Sequence, residues 1–291
     1  MHWIDYYRPS TLEACLEAFA EHGASARALA GGTDLLVQMR AGRLANNVVV
    51  DVKAVPELNE IRYEPGIGLT LGAAVPCYRI YGDPTVQREY PALIDSVSMI
   101  GGTQIQGRAS VGGNLCNASP SADAVPPLIA LGATCRVASV AGEREIPAED
   151  FCTAPGTNAL GEREVLVSLN LPAPSPDSGA CYLRFIPRNE MDIAVAGAGV
   201  SVRLANGCFD SGRVALAAVA ATPLLVPAAG AALSGQPVGR SAIAAAAAAA
   251  KAAARPISDM RGTAEYRSNL CEVLTRRALE KAVERAGGTL G

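Results

Sequence analysis

Two glycine-rich stretches hold the residues best suited to chemistry. The first is Leu29-Ala30-Gly31-Gly32-Thr33-Asp34, between a predicted strand and a predicted helix. Paired glycines let a backbone bring successive N–H groups up to an anion, and a helix start behind them adds positive dipole. That suits a diphosphate, with Thr33 as a further hydroxyl donor. A tight turn capped by Thr33 or Asp34 is the alternative. The second stretch, residues 101–123, reads GGTQIQGRASVGGNLCNASPSAD. So many glycines and small polar residues make a poor helix or strand, but a good backbone surface for a large, flat, hydroxyl-rich molecule. Asp123 is placed to accept a sugar hydroxyl or to cap the helix predicted over residues 125–131. A plain surface loop also fits this composition.

Other chemistries lose ground. The dinucleotide pattern G-x-G-x-x-G fails at Gly197-Ala198-Gly199 because Val202 takes the last glycine place, and the Walker pattern is absent. The eight cysteines, Cys15, Cys77, Cys116, Cys135, Cys152, Cys181, Cys208 and Cys271, include no close pair. Zinc and iron–sulfur sites gather ligands through short repeats, so dispersed, reduced, mostly buried thiols and no metal are expected. The two histidines, His2 and His22, give poor support to a metal site or a serine–histidine triad. A net charge of -3 and a pI near 5.6 offer nothing to nucleic acid or anionic membranes. No basic start followed by an apolar run opens the sequence, and the longest apolar stretch, residues 242–254, is short and broken by Lys251. A soluble, cytoplasmic protein is expected. With 49% hydrophobic and 18% charged residues, the chain has the material for a sizeable core.

The elements that must hold these stretches read as follows. Residues 12–22 predict a short helix capped by Ser10 or Thr11, with Leu12, Cys15, Leu16 and Phe19 at helical spacing. ARALA and NNVVVDV predict strands on either side of the first glycine turn and its helix, a small α/β unit over residues 1–55. GLTLGAAV, TCRVAS and REVLVSLNLP predict further strands, and residues 90–100 a helix. The prolines and small polar residues of PAPSPDSG, residues 172–179, mark a boundary. Beyond it CYLRFIP, AVAGAGVSVRL and RVALAAVA predict a three-stranded antiparallel meander, with NGCFDSG as a turn, followed by a mainly helical end. The alanine-rich, sparsely charged region 214–254 reads either as a surface for partners or as buried helix.

In order along the chain, AGGTDLL, ASVGGNLCNASPSAD, FIPRNEMDIAVAGAGV and MRGTAEYRSNLCEVLTRRAL resemble the flavin-binding medium subunits of the xanthine dehydrogenase, aldehyde oxidase and carbon monoxide dehydrogenase family. The resemblance spans nearly the whole chain, and the second motif is its most specific part. It implies an α+β fold. A two-lobed FAD-binding domain of the vanillyl-alcohol-oxidase-like (PCMH) type would cover residues 1–175, split near residue 55. A C-terminal domain of helices and a three-stranded antiparallel sheet would cover residues 180–291.

Carried over by residue, the resemblance implies that Leu29, Ala30, Gly31, Gly32, Thr33 and Asp34 wrap the FAD diphosphate. Ser110, Gly113, Asn114, Cys116, Asn117 and Asp123 would line another side of the cofactor, Cys116 standing where relatives place an apolar residue. Leu166 would pack on the flavin ring while also serving as a core leucine. Arg184 matches a basic position that is often lysine in relatives, with Asp192 downstream; a cation there favours anionic reduced flavin. The segment from Arg261 to Arg267 is read as packing or subunit docking, or as a solvated helix start.

The resemblance also implies partners: a large molybdopterin subunit, a small subunit with [2Fe–2S] clusters, a dimer of heterotrimers and an external electron acceptor. The chain would then be an electron relay, with no catalytic residue of its own for the organic substrate. A self-contained flavoprotein reductase of the same superfamily is the competing reading, but it needs a proton donor and substrate groups that the sequence does not nominate. A scaffold that has lost its flavin fits poorly with intact glycine motifs. A hydroxybenzoyl-CoA reductase type, whose flavin subunit carries an extra cluster, fits poorly with unclustered cysteines.

Overall fold

The computed structural model describes residues 3–44 and 47–290, so His2 lies outside the described residues. Strands β1 (Asp5–Tyr7), β2 (Ala26–Leu29) and β3 (Val48–Asp51) form a parallel sheet in the order β1-β3-β2. The central strand is buried throughout, as its run of valines requires. Helix α1 (Leu12–His22) spans the predicted residues, and Thr11 Oγ1 accepts the Ala14 N–H at 3.2 Å. Helix α2 (Leu35–Arg40) follows β2 across the first glycine turn.

The next unit opens with β4 (Ile61–Glu64) and β5 (Gly68–Gly72). Six short helices follow: α3 (Cys77–Tyr81), α4 (Pro84–Glu89), α5 (Pro91–Val97), α6 (Thr103–Gln106), α7 (Val111–Cys116) and α8 (Val125–Ala130). Then come β6 (Thr134–Ser139), β7 (Gly142–Pro147), α9 (Ala148–Phe151), a small hairpin of β8 (Cys152–Ala154) and β9 (Thr157–Asn158), and β10 (Val165–Pro172). Five of these strands form an antiparallel sheet, β4-β5-β10-β6-β7. Its central strand β10 serves two cores. Leu166, Leu169 and Leu171 join the helices on one face, while Val165 and Val167 join the core under α1 and β3. Simple alternation cannot put both Leu166 and Leu169 on one face. A β-bulge between Leu166 and Ser168 inserts one residue and resets the parity.

The remaining chain forms a second antiparallel sheet of β11 (Ser178–Phe185), β12 (Ala196–Ala205), β13 (Cys208–Ala217) and β14 (Leu224–Leu225). The sequence predicts three strands; the fourth is a two-residue strand that pairs with Ala215 and Leu216 after the chain bends back. The predicted turn NGCFDSG also shrinks to Asn206-Gly207, and Cys208 begins a strand. Asn206 and Gly207 both take positive φ, 51° and 75°, the signature of a two-residue hairpin loop that lets pairing resume at once.

Helices α10 (Pro227–Leu233), α11 (Arg240–Ala253) and α12 (Ala264–Arg285) cover one face of this sheet. In α11, Ala242, Ile243, Ala246, Ala247 and Ala250 recur at helical spacing and are buried, so this part of the alanine-rich region is core rather than partner surface. The sheet's other face meets α5 and α8. There Ser201 Oγ donates to Ala130 O at 2.6 Å and Arg213 Nε to Ile129 O at 3.1 Å, tying the sheet to carbonyls at the end of α8. Arg285 donates from both Nη atoms to Asp95 at 2.6 and 2.9 Å, and Asp95 also accepts the Tyr182 N–H at 3.1 Å. No helix among the described residues is long and apolar enough to cross a membrane.

Candidate cofactor site

The first glycine turn leaves the end of β2 with its N–H groups unspent. Gly32 has φ 78°, and among the described residues the N–H groups of Gly32, Thr33 and Asp34 have no hydrogen-bond acceptor. Asp34 stands at the N-cap of α2 yet makes no side-chain cap bond, so a capped turn is not what this segment builds. Successive N–H groups around a left-handed residue form a concave nest for an anion. Gly31 fits for a different reason: a Cβ there would lie 2.5 Å from Arg108 O and 2.9 Å from Ala109 Cα. Its missing side chain lets the first glycine segment lie directly on the backbone of the second.

The second segment is mostly closed upon itself. Ser110 is 2% exposed, and its hydroxyl caps α7 by accepting the Gly113 N–H at 3.0 Å. Gly112 is pressed against Ala73, where a Cβ would come within 2.4 Å of the carbonyl oxygen. Asn114 Oδ1 accepts the Ala124 N–H at 3.1 Å, drawing the loop back over α7. Cys116 O accepts from Asn158 Nδ2 at 2.7 Å, and burial pushes the Cys116 thiol up to about 12, with Cys152 nearby adding to the effect. Asn117 Oδ1 accepts from Gln38 Nε2 at 3.0 Å, tying α2 to the end of α7. Leu166 is 4% exposed in the core, on the strand that α7 packs against.

Asp123 caps no helix; Ala124 is the N-cap of α8. Its carboxylate accepts from Tyr182 Oη at 2.7 Å and from Arg184 Nη1 at 2.5 Å. The side chains of Asp123 and Arg184 are 10% and 5% exposed. Burial pushes the Asp123 carboxyl above its ordinary value, while Arg184 and Tyr182 pull it the other way. The Tyr182 phenol is driven up, first by burial and then by the Asp123 charge. Arg184 Nε is buried and has no partner among the described residues.

The predicted residues therefore fall into two groups. Gly31 meets Arg108 and Ala109 while Asn117 is tied to α2 through Gln38, and Asp123 meets Arg184. Asp192 lies apart from the Asp123 pair, facing Arg188 and Arg261 at 3.3 and 3.9 Å. Sequence reasoning passed over Gln38, Arg108 and Tyr182. Tyr182 carried a signal: Gly197, in the failed dinucleotide pattern, leaves space for its phenol, since a Cβ there would lie 2.7 Å from Tyr182 Oη. Gly199 in the same pattern lies on the Pro126–Pro127 backbone, 2.6 Å from the Pro126 carbonyl carbon by the same measure. Within the segment Arg261 to Arg267, Arg267 is an anchor rather than a solvated residue: it donates to Val195 O at 3.0 Å and to Asp259 at 2.6 Å.

Comparison with known proteins decides what this arrangement belongs to. The model of the FAD binding domain in molybdopterin dehydrogenase matches residues 2–174, and that of the CO dehydrogenase flavoprotein C-terminal domain matches residues 181–282. The chain is a member of the FAD-binding medium-subunit family of molybdenum hydroxylases. Its relatives include the xanthine dehydrogenase FAD-binding subunit of Escherichia coli O157:H7, 32% identical over 99% of both chains. The carbon monoxide dehydrogenase medium chain of Afipia carboxidovorans is 30% identical over 97% of this chain and 98% of its own. Among solved structures, carbon monoxide dehydrogenase from Hydrogenophaga pseudoflava aligns with a TM-score of 0.93 at 31% identity, covering 98% of each chain. Quinoline 2-oxidoreductase from Pseudomonas putida 86 aligns at 0.90 and 30% identity, over 98% of this chain and 99% of that one. As a member of this family, the medium subunit described here is an oxidoreductase subunit with an FAD-binding domain. The donor set fits such a cofactor, with N–H groups for a diphosphate and, on the Arg184 side chain paired to Asp123, a buried guanidinium nitrogen without a partner among the described residues.

Proposed function

We propose that this chain binds one FAD across its two glycine-rich segments and serves as the flavin relay of a multi-subunit molybdenum hydroxylase. The observation that carries the reading is the loop at residues 30–34, whose unspent N–H groups surround a left-handed Gly32. Bound there, FAD supplies electron storage between the [2Fe–2S] clusters of a partner chain and an external acceptor. The chain's own residues bind and orient it. Leu29 to Asp34 take the diphosphate; Ser110, Gly113, Asn114, Cys116 and Asn117 shape the opposite wall; Leu166 backs the ring. Arg184 brings positive charge, and Asp123 holds Arg184 in place. Family resemblance supports a PCMH-type FAD-binding domain over residues 1–175, divided near residue 55, and a C-terminal domain over residues 180–291. It supports equally a large molybdopterin subunit, a small iron–sulfur subunit, assembly as a dimer of heterotrimers, and a cytoplasmic setting.

The test is made on the full chain alone and then on the reconstituted complex. The lone chain should carry stoichiometric flavin without iron or zinc, and its flavin should be reducible by dithionite. It should not turn over purines, aldehydes or N-heterocycles with an artificial acceptor, whereas the complex should turn over at least its own substrate. Turnover by the lone chain, or absence of a flavin spectrum, defeats the proposal.

A further inference from the structure

We infer that Arg108 is a positioning residue for the FAD diphosphate, acting through the Gly31–Gly32 peptide rather than by touching the phosphates. The inference rests on the flavin reading above and adds a residue to it. Arg108 Nε donates to Gly31 O at 3.1 Å, across 77 positions of sequence. A trans peptide is planar, and its C=O and N–H point in opposite directions. Pinning the Gly31 carbonyl on one side therefore aims the Gly32 N–H to the other side, at the head of the run whose next two N–H groups, of Thr33 and Asp34, are also unspent.

Left-handed geometry makes the peptide before Gly32 easy to rotate, because glycine alone tolerates many orientations there. A nest works only when its N–H groups converge. Two contacts fix this one. The absent Gly31 side chain lets the loop sit on Arg108 O and Ala109 Cα, and the guanidinium then takes the Gly31 carbonyl. The anchor is itself held, since Ala109 O accepts the Cys77 N–H at 2.8 Å and Ala109 is 6% exposed. A charged donor on the carbonyl also polarises the peptide, making the opposite N–H a stronger donor. Asp51, at the end of the neighbouring strand, is already engaged by Tyr6 Oη at 2.5 Å and Lys53 Nζ at 2.7 Å, so it does not compete for Arg108.

The experiment uses the full chain stripped of flavin, as wild type, Arg108→Ala and Arg108→Lys, with FAD titrated by flavin fluorescence and apo stability followed by thermal melting. Arg108→Ala should raise the Kd for FAD about tenfold, the effect of losing one charge-assisted hydrogen bond. Its apo melting temperature should stay at the wild-type value. Arg108→Lys keeps the charge on a flexible stem and should recover part of the affinity. Unchanged affinity in Arg108→Ala overturns the inference, and so does a fall in affinity matched by a fall in apo stability, which marks a plain structural tie. Failure of the wild-type chain to bind FAD instead removes the flavin reading, and the inference with it.

Discussion

The two glycine-rich segments look alike in sequence and behave differently in the fold. Residues 30–34 are open: their N–H groups are unspent, their glycine is left-handed and their following helix lacks a side-chain cap. Residues 110–123 are closed: Ser110 caps α7, Asn114 ties the loop back, Gly112 lies on Ala73, and Asp123 is paired with Tyr182 and Arg184. Glycine thus serves both presentation, at Gly32, and close packing, at Gly31, in the first segment, and close packing, at Gly112, in the second. The first segment's cost is borne in unmade hydrogen bonds, which a bound anion would complete. The second segment is complete within the protein and holds the first in place.

If that contrast is right, mutations in the open segment should remove cofactor, and mutations in the closed one should remove stability. The largest effect is expected for Gly32→Val, which should abolish flavin content in the purified chain. The apo fold should lose about 2–5 kcal/mol, the cost of a side chain in left-handed backbone plus crowding against Leu29 and Leu36, without unfolding. Full flavin occupancy in a folded variant would erase the distinction.

Next comes Arg184→Leu. Taking away the guanidinium strands the buried Asp123 carboxylate, so urea unfolding should show a loss of about 3–5 kcal/mol. Adding Asp123→Asn should restore much of it. A loss that the second change does not relieve would place Arg184's value elsewhere.

Gly112→Ala should cost about 1–3 kcal/mol by overpacking against Ala73, with FAD bound in proportion to the folded fraction. The smallest effect is expected for Gln38→Ala, which removes the bond to Asn117 and should cost about 1 kcal/mol. Differential melting would resolve it, and a larger loss would mean that α2 depends on this single tie.

Local signals made much of this fold legible. Helix α1 and strand β6 fall on their predicted residues, because apolar spacing and caps specify them without help from the rest of the chain. Strand β1 was missed: Asp5–Tyr7 is exposed, without an apolar alternation, and exists because β3 pairs with it. The bulge in β10 was equally invisible, since it is defined by the strands alongside. At the candidate site the glycine motifs marked segments rich in close approaches, but not which glycine, such as Gly31 or Gly112, lies on backbone and which, such as Gly32, lies on side chains. Asp123 read as a cap or an acceptor because nothing local announces Arg184, which lies 61 positions away. Arg108 stood inside a quoted motif and was passed over, since its partner is a carbonyl that any residue could supply.

The tie between Asp95 and Arg285 has a consequence in time as well as in space. The two residues are 190 positions apart, so at about 5–20 residues per second a ribosome needs roughly ten to forty seconds to supply the second after the first. Throughout that interval Asp95 can already turn toward the Tyr182 N–H, once that residue has emerged, but it lacks its cation. Both sheets can pair, and the Ser201–Ala130 and Asp123–Arg184 ties can form, before α12 is finished, whereas this one latch waits for its last turn. A chain cut just before Arg285 would keep every strand and lose the latch, leaving Asp95 with the Tyr182 N–H but no cation at the seam where α5 meets β11.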